Sequence, residues 1–412
     1  MNILRDEGLA GQGRQKIEWA RAYMPALARL REVFLREKPL EGTVIATSVH
    51  LEAKTANLAL LLKDAGAEVF ATGCNPLSTQ DDVAAGLASY GVAVTATHGC
   101  DPAEYTRQLS AALSCSPHLV LDDGGDFAEL LHGQCSEYAA RVVGATEETT
   151  TGVSRLRARM AAGALRYPVY AVNDADMKHL FDNRYGTGES VWAAIMATSN
   201  VLLAGKTAVV AGYGWCGRGV AMRAAGLGMK VIVTEIDAVK AIEAVMDGHT
   251  VMTMDEAAAC GDFFVTVTGV RDVIAPRHFH KMKDGAILAN AGHFDVEIDV
   301  AALRSGSTRC FEQRANILGF EQPDGRVLNL IAEGRLCNIA AGNGHPAEIM
   351  DMSFAVQALA LTDMLKVGPS LNPGVYNVPR EIDIKVSAYK LAALGVGIDK
   401  LTEAQEAYRH HF

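Results

Sequence analysis

T-A-V-V-A-G-Y-G-W-C-G-R-G, residues Thr207 to Gly219, decides how this chain is read. Thr207 to Ala211 is a short apolar run with β-branched residues, the pattern of a buried parallel strand. Gly212, Gly214, Gly217 and Gly219 follow it, and Val220 to Gly228 is compatible with a helix. Between a strand and a helix each glycine has a physical use. Gly212 permits the tight turn, Gly214 lets the backbone approach a pyrophosphate, and Gly217 lets the helix pack close on the strand. The positive end of the helix then faces the phosphates.

A second strand, Lys230 to Thr234, ends at Glu235. An acid about twenty residues beyond such a loop accepts hydrogen bonds from the adenosine ribose hydroxyls and would repel a 2′-phosphate. The expected cofactor is therefore NAD, held in a Rossmann-type domain. Working outward, Phe263–Thr268 and Ala286–Asn290 continue the strand series. Upstream, Thr43–Val49, Ala67–Ala71, Val92–Thr95 and His118–Leu121 alternate with helical stretches such as Leu58–Leu62 and the amphipathic run Trp19–Phe34. Such βα alternation implies parallel, doubly wound sheets. The expected fold is α/β, with two doubly wound parallel-sheet domains, the second of them the Rossmann domain, plus a small helical C-terminal tail. The segment Asn173–Ser190 is a candidate hinge between them. Leu336–Met350, with three glycines, is a candidate return crossing that sends a helix at Asp351–Leu365 back to the first domain. From Pro369 the tail reads as turns followed by amphipathic helices. The expected division is 1–180 with 346–390, then 183–345, then 391–412.

The 412 residues suffice for two or three domains, and 49% of them are hydrophobic, as in ordinary globular proteins. A net charge of −10 argues against general nucleic-acid binding, because the phosphate backbone is repelled. No apolar run approaches the ~20 residues that span a bilayer, and Met1–Gly8 lacks the apolar core of a signal peptide. The eight cysteines include no C-x-x-C pair, so neither a disulfide framework nor a metal site is expected, and the compartment is expected to be the cytoplasm.

Polar clusters stand at strand ends. Asp122 and Asp123 follow Leu119–Leu121 and precede Gly124 and Gly125. Glu147, Glu148 and Thr149 to Thr151 form an acid–hydroxyl patch. Lys178 and Asp182 are four apart, His293 follows the strand ending at Asn290, and His345 sits in G-N-G-H-P. Each has a bland alternative. Asp122 caps a turn, the threonines cap a helix, Lys178–Asp182 is a solvated pair, and His50 is a satisfied strand-end histidine. Together they favour a cleft beyond the carboxyl ends of the strands.

The motifs H-L-E-A-K-T-A (His50–Ala56), N-P-L-S-T-Q-D (Asn75–Asp81), L-D-D-G-G-D (Leu121–Asp126), E-E-T-T-T-G-V (Glu147–Val153), V-N-D (Val172–Asp174), K-H-L-F-D-N-R-Y-G (Lys178–Gly186), V-V-A-G-Y-G (Val209–Gly214), N-A-G-H-F-D-V-E-I (Asn290–Ile298), A-E-G-R-L (Ala332–Leu336) and G-H-P (Gly344–Pro346) resemble those of the S-adenosylhomocysteine hydrolase family, in family order from about Gly8 onward. The resemblance implies tightly bound NAD+ used catalytically. The ribose 3′-hydroxyl is oxidised to a ketone, the 4′ proton becomes acidic, homocysteine is eliminated from the 5′ carbon, water adds, and the ketone is reduced again. It implies that Lys178, with a lowered pKa beside the oxidised nicotinamide, and Asp182 handle the 3′-hydroxyl proton. Asp122 serves the 4′ and 5′ centres, and His50 and His293 serve the leaving thiol and the attacking water. Glu148 meets the ribose hydroxyls. Glu52, Lys54, Thr55, His345 and Met350 line the purine side and the substrate gate. Thr149, Thr150, Thr151, Asn183, Thr268 and Asn338 join Gly212, Gly214, Gly217 and Glu235 as NAD contacts. A homotetramer is the implied assembly.

Three departures from the family's long form matter. Thr187 stands where that form has a cysteine, so no thiol chemistry is assigned there. The long form's Lys- and Tyr-bearing tail, which reaches a neighbour's NAD, has no counterpart before Phe412, so easier NAD exchange is expected. The chain in this respect resembles the shorter archaeal and thermophile-like branch. Glu52 and Lys54 replace the long form's Thr and Glu or Gln. An ammonium only donates, so Lys54 suits the O6 acceptor of hypoxanthine, whereas Glu52 can accept from the N6 donor of adenine. S-adenosylhomocysteine is the first reading and S-inosylhomocysteine the alternative; a third, structural reading puts Lys54 where some members hold an alkali cation. More remote are an NAD-linked dehydrogenase that releases NADH and a regulatory NAD-binding homologue without turnover.

Overall fold

The computed structural model describes residues 2–409. Two sheets organise them. The first has the strand order β15-β6-β5-β4-β1-β2-β3, where β1 is Val44–Ser48, β2 Glu68–Thr72, β3 Ala93–Val94, β4 Leu119–Asp122, β5 Gly144–Glu147, β6 Pro168–Ala171 and β15 Gly374–Asn377. Every pairing in it is parallel. The second has the order β12-β13-β14-β11-β10-β7-β8-β9, where β7 is Thr207–Ala211, β8 Lys230–Thr234, β9 Thr250–Val251, β10 Phe263–Thr266, β11 Ile287–Asn290, β12 Arg309–Arg314, β13 Ile317–Glu321 and β14 Val327–Ile331.

The central strands are buried on both faces, which is why they read as unbroken apolar runs. Val209 and Val210 of β7, and Phe264 and Val265 of β10, are at most 1% exposed. Each sheet reverses its winding once, between β1 and β4 in the first and between β7 and β10 in the second. A crevice opens at such a reversal beyond the carboxyl ends of the strands, and the polar clusters of the sequence lie there.

Three features depart from expectation. The stretch from β12 to β14 pairs antiparallel, so the second sheet is not wholly parallel. The 309–321 segment is half-polar and its β12 is largely exposed, which hides it from a search for apolar runs. The tail, read as turns and helices, also contributes β15, which pairs with β6. A four-residue edge strand with partly exposed Val375 and Tyr376 carries too little pattern to show. The helical run near the start is two helices, Ala10–Ala22 and Pro25–Glu37, because proline is tolerated only in a first turn. Helix Ala347–Val367 does return to the first sheet: Phe354, Val356, Leu361 and Met364 join the core cluster of Ile45, Leu119 and Leu121. Of the predicted tail, Arg380–Leu394 and Glu403–Arg409 are helical, and 410–412 lie outside the described residues.

Candidate active site

One cavity of about 1320 Å³ runs between the carboxyl ends of the two sheets. It exceeds the range usual for a single small ligand, as a site for a nucleoside and a dinucleotide together requires. Its walls carry His50, Glu52, Lys54, Thr55, Glu148, Thr149, Thr150, Thr151, Lys178, Asp182, Asn183, Gly212, Gly214, Glu235, Thr268, His293, Asn338, His345 and Met350. Two expected residues are not among its walls. Gly217 lies beneath the loop, where a Cβ would sit 1.9 Å from the Gly212 carbonyl oxygen. Asp122 faces away, as described below.

The dinucleotide side is built as the glycine pattern implies. Gly212 has φ +99°, a conformation that side chains disfavour. Above Gly214 a Cβ would meet nothing within 4 Å, so the backbone is open to a phosphate, and helix Trp215–Gly226 begins at that point. Glu235 accepts from the backbone N–H of Tyr213 at 2.7 Å and of Ile236 at 2.7 Å, which fixes its carboxylate beside the loop. Thr268 is held by Glu297, a buried acid the sequence reading missed: Glu297 accepts from the Thr268 backbone N–H at 2.9 Å and hydroxyl at 2.7 Å. Asn338 donates to Ser190 Oγ at 2.9 Å and keeps its own Oδ1 buried without a partner. Such an orphan acceptor calls for a ligand donor. These groups fit a dinucleotide.

At the junction of the sheets, Lys178 is buried. Its ammonium donates to Asn183 Oδ1 at 2.7 Å and faces Asp182 Oδ1 at 3.4 Å and Glu148 Oε1 at 3.6 Å. The chain here is not an ordinary helix. His179–Gly186 is π-helical, and the wider turn lets residues four and five beyond Lys178 both reach its head. Such turns often mark functional sites. Burial disfavours the Lys178 cation, but Asp182 and Glu148 outweigh it and raise its pKa. The expected lowering is thus not what the chain's own groups produce. Burial also opposes ionisation of Asp182, and Lys178 and His345 reverse that, holding it below the usual carboxylate range. His345 Nδ1 lies 2.9 Å from Asp182 Oδ1. Glu148 is the weaker partner. Burial pushes it up to about 8 against the pull of Lys178.

Asp122 requires a correction. Its carboxylate accepts from the backbone N–H of Ala128 at 2.9 Å and of Phe127 at 3.3 Å, so it caps helix Asp126–His132 from below. Its neighbour Asp123 turns into the cavity instead. A one-residue step at a strand end reverses the face a side chain presents, and sequence alone did not show which of the two faced the cleft. Asp123 is 2% exposed. It lies 3.9 Å from His50 Nε2 and 3.9 Å from His293 Nδ1, accepts from the Cys74 thiol at 3.3 Å, and keeps Oδ1 unpartnered. Burial lowers the pKa of His50, with Asp123 opposing and His293 reinforcing. A neutral imidazole at neutral pH is suited to take a proton.

On the purine side, Glu52 caps helix Ala53–Asp64 by accepting from the backbone N–H of Lys54 and Thr55. The Lys54 ammonium lies 2.9 Å from Glu52 Oε2 and donates to the Asn343 carbonyl at 2.8 Å. Glu52 is therefore largely engaged within the protein, while an ammonium with three protons retains one to offer. Thr187, in the place of the long-form cysteine, donates to the Cys216 thiol at 3.6 Å. Cys216 lies at the start of helix Trp215–Gly226, and burial pushes its thiol pKa up.

Comparisons with known proteins point to one family. Residues 183–344 match the family model described as S-adenosyl-L-homocysteine hydrolase, NAD binding domain, and residues 2–139 match that of S-adenosyl-L-homocysteine hydrolase. The chain is 53% identical over 406 residues to an S-inosyl-L-homocysteine hydrolase of Methanopyrus kandleri, covering 98% of this chain and 96% of the other. It is 53% identical over 397 residues to an adenosylhomocysteinase of Archaeoglobus fulgidus (96% and 98% covered), and 52% identical over 396 residues to an adenosylhomocysteinase of Thermotoga maritima (96% and 98% covered).

Proposed function

This chain belongs to the S-adenosyl-L-homocysteine hydrolase family, an NAD-using enzyme family, and from that premise we propose that it hydrolyses the thioether of S-adenosyl-L-homocysteine, reversibly, to adenosine and L-homocysteine. The observation that carries the reading is the buried Lys178 held between Asp182 and Glu148 where the glycine-loop sheet meets the other. NAD+, when bound, supplies a hydride acceptor that is regenerated within the turnover. The chain's own groups do the rest. Lys178 and Asp182 move the proton of the ribose 3′-hydroxyl, and Glu148 accepts from the ribose hydroxyls. Asp123, in the role first assigned to Asp122, works with His50 and His293 where the 5′ carbon–sulfur bond breaks and water adds. Thr149, Thr150, Thr151, Asn183, Gly212, Gly214, Glu235, Thr268 and Asn338 hold the dinucleotide. Thr55, His345 and Met350 line the nucleoside's path.

A second reading, S-inosyl-L-homocysteine, is favoured by one observation. Glu52 is paired to Lys54 and to two backbone N–H groups, which leaves the Lys54 donor, not the Glu52 acceptor, to meet position 6 of the purine. Incubation with both thioethers tests both readings. Homocysteine released without net NADH supports the hydrolase, and stoichiometric NADH would support a dehydrogenase instead. The rate ratio for the two purines should shift toward adenine in Lys54→Glu; an unchanged ratio removes the purine argument.

The reading carries further proposals. Residues 1–180 with 346–390 form the substrate-binding part, 183–345 the cofactor-binding part and 391–412 an oligomerisation tail. The assembly is a homotetramer in the cytoplasm. The exposed apolar side chains Val239, Ile242 and Met246 on helix Ala238–Met246 support association, and sedimentation of the holoenzyme measures it.

A further inference from the structure

Helix Ala347–Val367 comes from the far end of the chain, yet one buried face of it ends on the two carboxylates that flank Lys178. Ser353 donates from its hydroxyl to Asp182 Oδ2 at 2.8 Å. Gln357, one turn later, donates from Nε2 to Glu148 Oε2 at 2.5 Å. Both are 0% exposed, and Phe354, Ala358 and Leu361 beside them are core. A buried amide in such company is costly unless it is hydrogen-bonded, so its presence asks what it serves.

The two acids are unequally supported. Asp182 has Lys178, His345 and Ser353. Glu148 has Lys178 at 3.6 Å, and among the described residues its side chain takes a hydrogen bond only from Gln357. Its Oε1 has no hydrogen-bond partner. Asp182 from the π-helical segment and Asp123 from the end of β4 both face it with like charge. One ammonium therefore serves two buried carboxylates, and the second depends on a neutral donor.

We propose that Gln357 is a positioning residue for Glu148: its amide N–H fixes the Oε2 side of the carboxylate, favours the ionised form over the protonated one, and so presents Oε1 to the ribose hydroxyls as an acceptor. Losing the donor moves the ionisation of Glu148 further above its already raised range, and the protonated acid offers a proton where the ribose needs an acceptor. The ribose part of this inference rests on the function proposed above; the link between Gln357 and Glu148 does not.

The test is an infrared titration of the protonated-carboxyl band in the NAD-loaded protein, assigned by its loss in Glu148→Gln. In Gln357→Met, which keeps the shape and removes the donor, the midpoint should rise by about one pH unit, roughly a tenfold change in proton affinity, the size of a hydrogen bond to a charged group. Gln357→Glu, which replaces the donor with a second acid, should raise it as well. The pH limb of kcat should move with the midpoint, and KM for the nucleoside should rise. A merely structural role would lower kcat at every pH and leave the midpoint in place. An unmoved midpoint in either folded variant overturns the proposal. A shifted midpoint without turnover of either nucleoside thioether would sustain the link and remove the functional reading.

Discussion

The Lys178 ammonium sits 3.4 Å from Asp182 Oδ1 at the start of a π-helical turn, with both side chains at most 5% exposed. A buried cation beside a carboxylate that is itself bound to His345 and Ser353 is not a surface ion pair of negligible worth, and the function proposed above makes it the relay for the 3′-hydroxyl proton.

Lys178→Met removes the relay and keeps the volume. The variant should retain NAD, because the glycine loop and Glu235 are untouched, yet fail to reduce it when nucleoside is added. The expected loss in kcat is about 10²–10⁴-fold, the range for general acid–base catalysis. Absorbance of NADH in single-turnover mixing measures it, and normal reduction would remove Lys178 from the chemistry.

Asp122 and Asp123 should part company. Asp123→Asn should keep the melting temperature and lose most activity. Asp122→Ala should lose on the order of 1 kcal/mol or more as a helix cap, with activity falling only as the folded fraction does. The reverse pattern in paired thermal and kinetic measurements would restore Asp122 to the active site.

Gly219→Ala should loosen segment His179–Gly186 from the cofactor helix. A Cβ there would lie 1.7 Å from the Arg184 carbonyl oxygen, in the π-helical segment that positions Asp182 and Asn183. Backbone must move to admit it, a cost of about 1–3 kcal/mol. NAD affinity and kcat should fall together. A variant with wild-type NAD affinity would show that the close approach is dispensable.

Stability without substrate should depend on Glu148 with a definite sign. Its folded pKa is raised by burial from 4.5 to about 8. A raised value means that the folded protein binds the proton more tightly, so the contribution is intact below pH 4.5 and is lost as pH rises toward about 8. Between those limits wild type should lose on the order of a few kcal/mol relative to Glu148→Gln, which does not titrate. Parallel curves of unfolding free energy against pH would refute the burial argument.

By itself the sequence determined the second sheet's central strands and the glycine loop with Glu235, because these rest on local pattern: apolar runs, glycines at fixed spacing, an acid at a strand end; the site residues it named beyond these came from the resemblance to a known family, and most of them line the cavity. What the tertiary structure decided is what local pattern cannot carry. Asp122 and Asp123 are adjacent and chemically identical, and only the strand's exit direction assigns one to a helix cap and the other to the cleft. Thr187 and Cys216 are 29 residues apart, and only the fold shows that the Thr187 hydroxyl meets the Cys216 thiol at 3.6 Å. Gln357 looks like one polar residue in an apolar helix until its amide meets Glu148, 209 residues away in the chain. Each depends on which side chain a fold brings to which neighbour, and contact at long sequence separation is a property of packing rather than of periodicity.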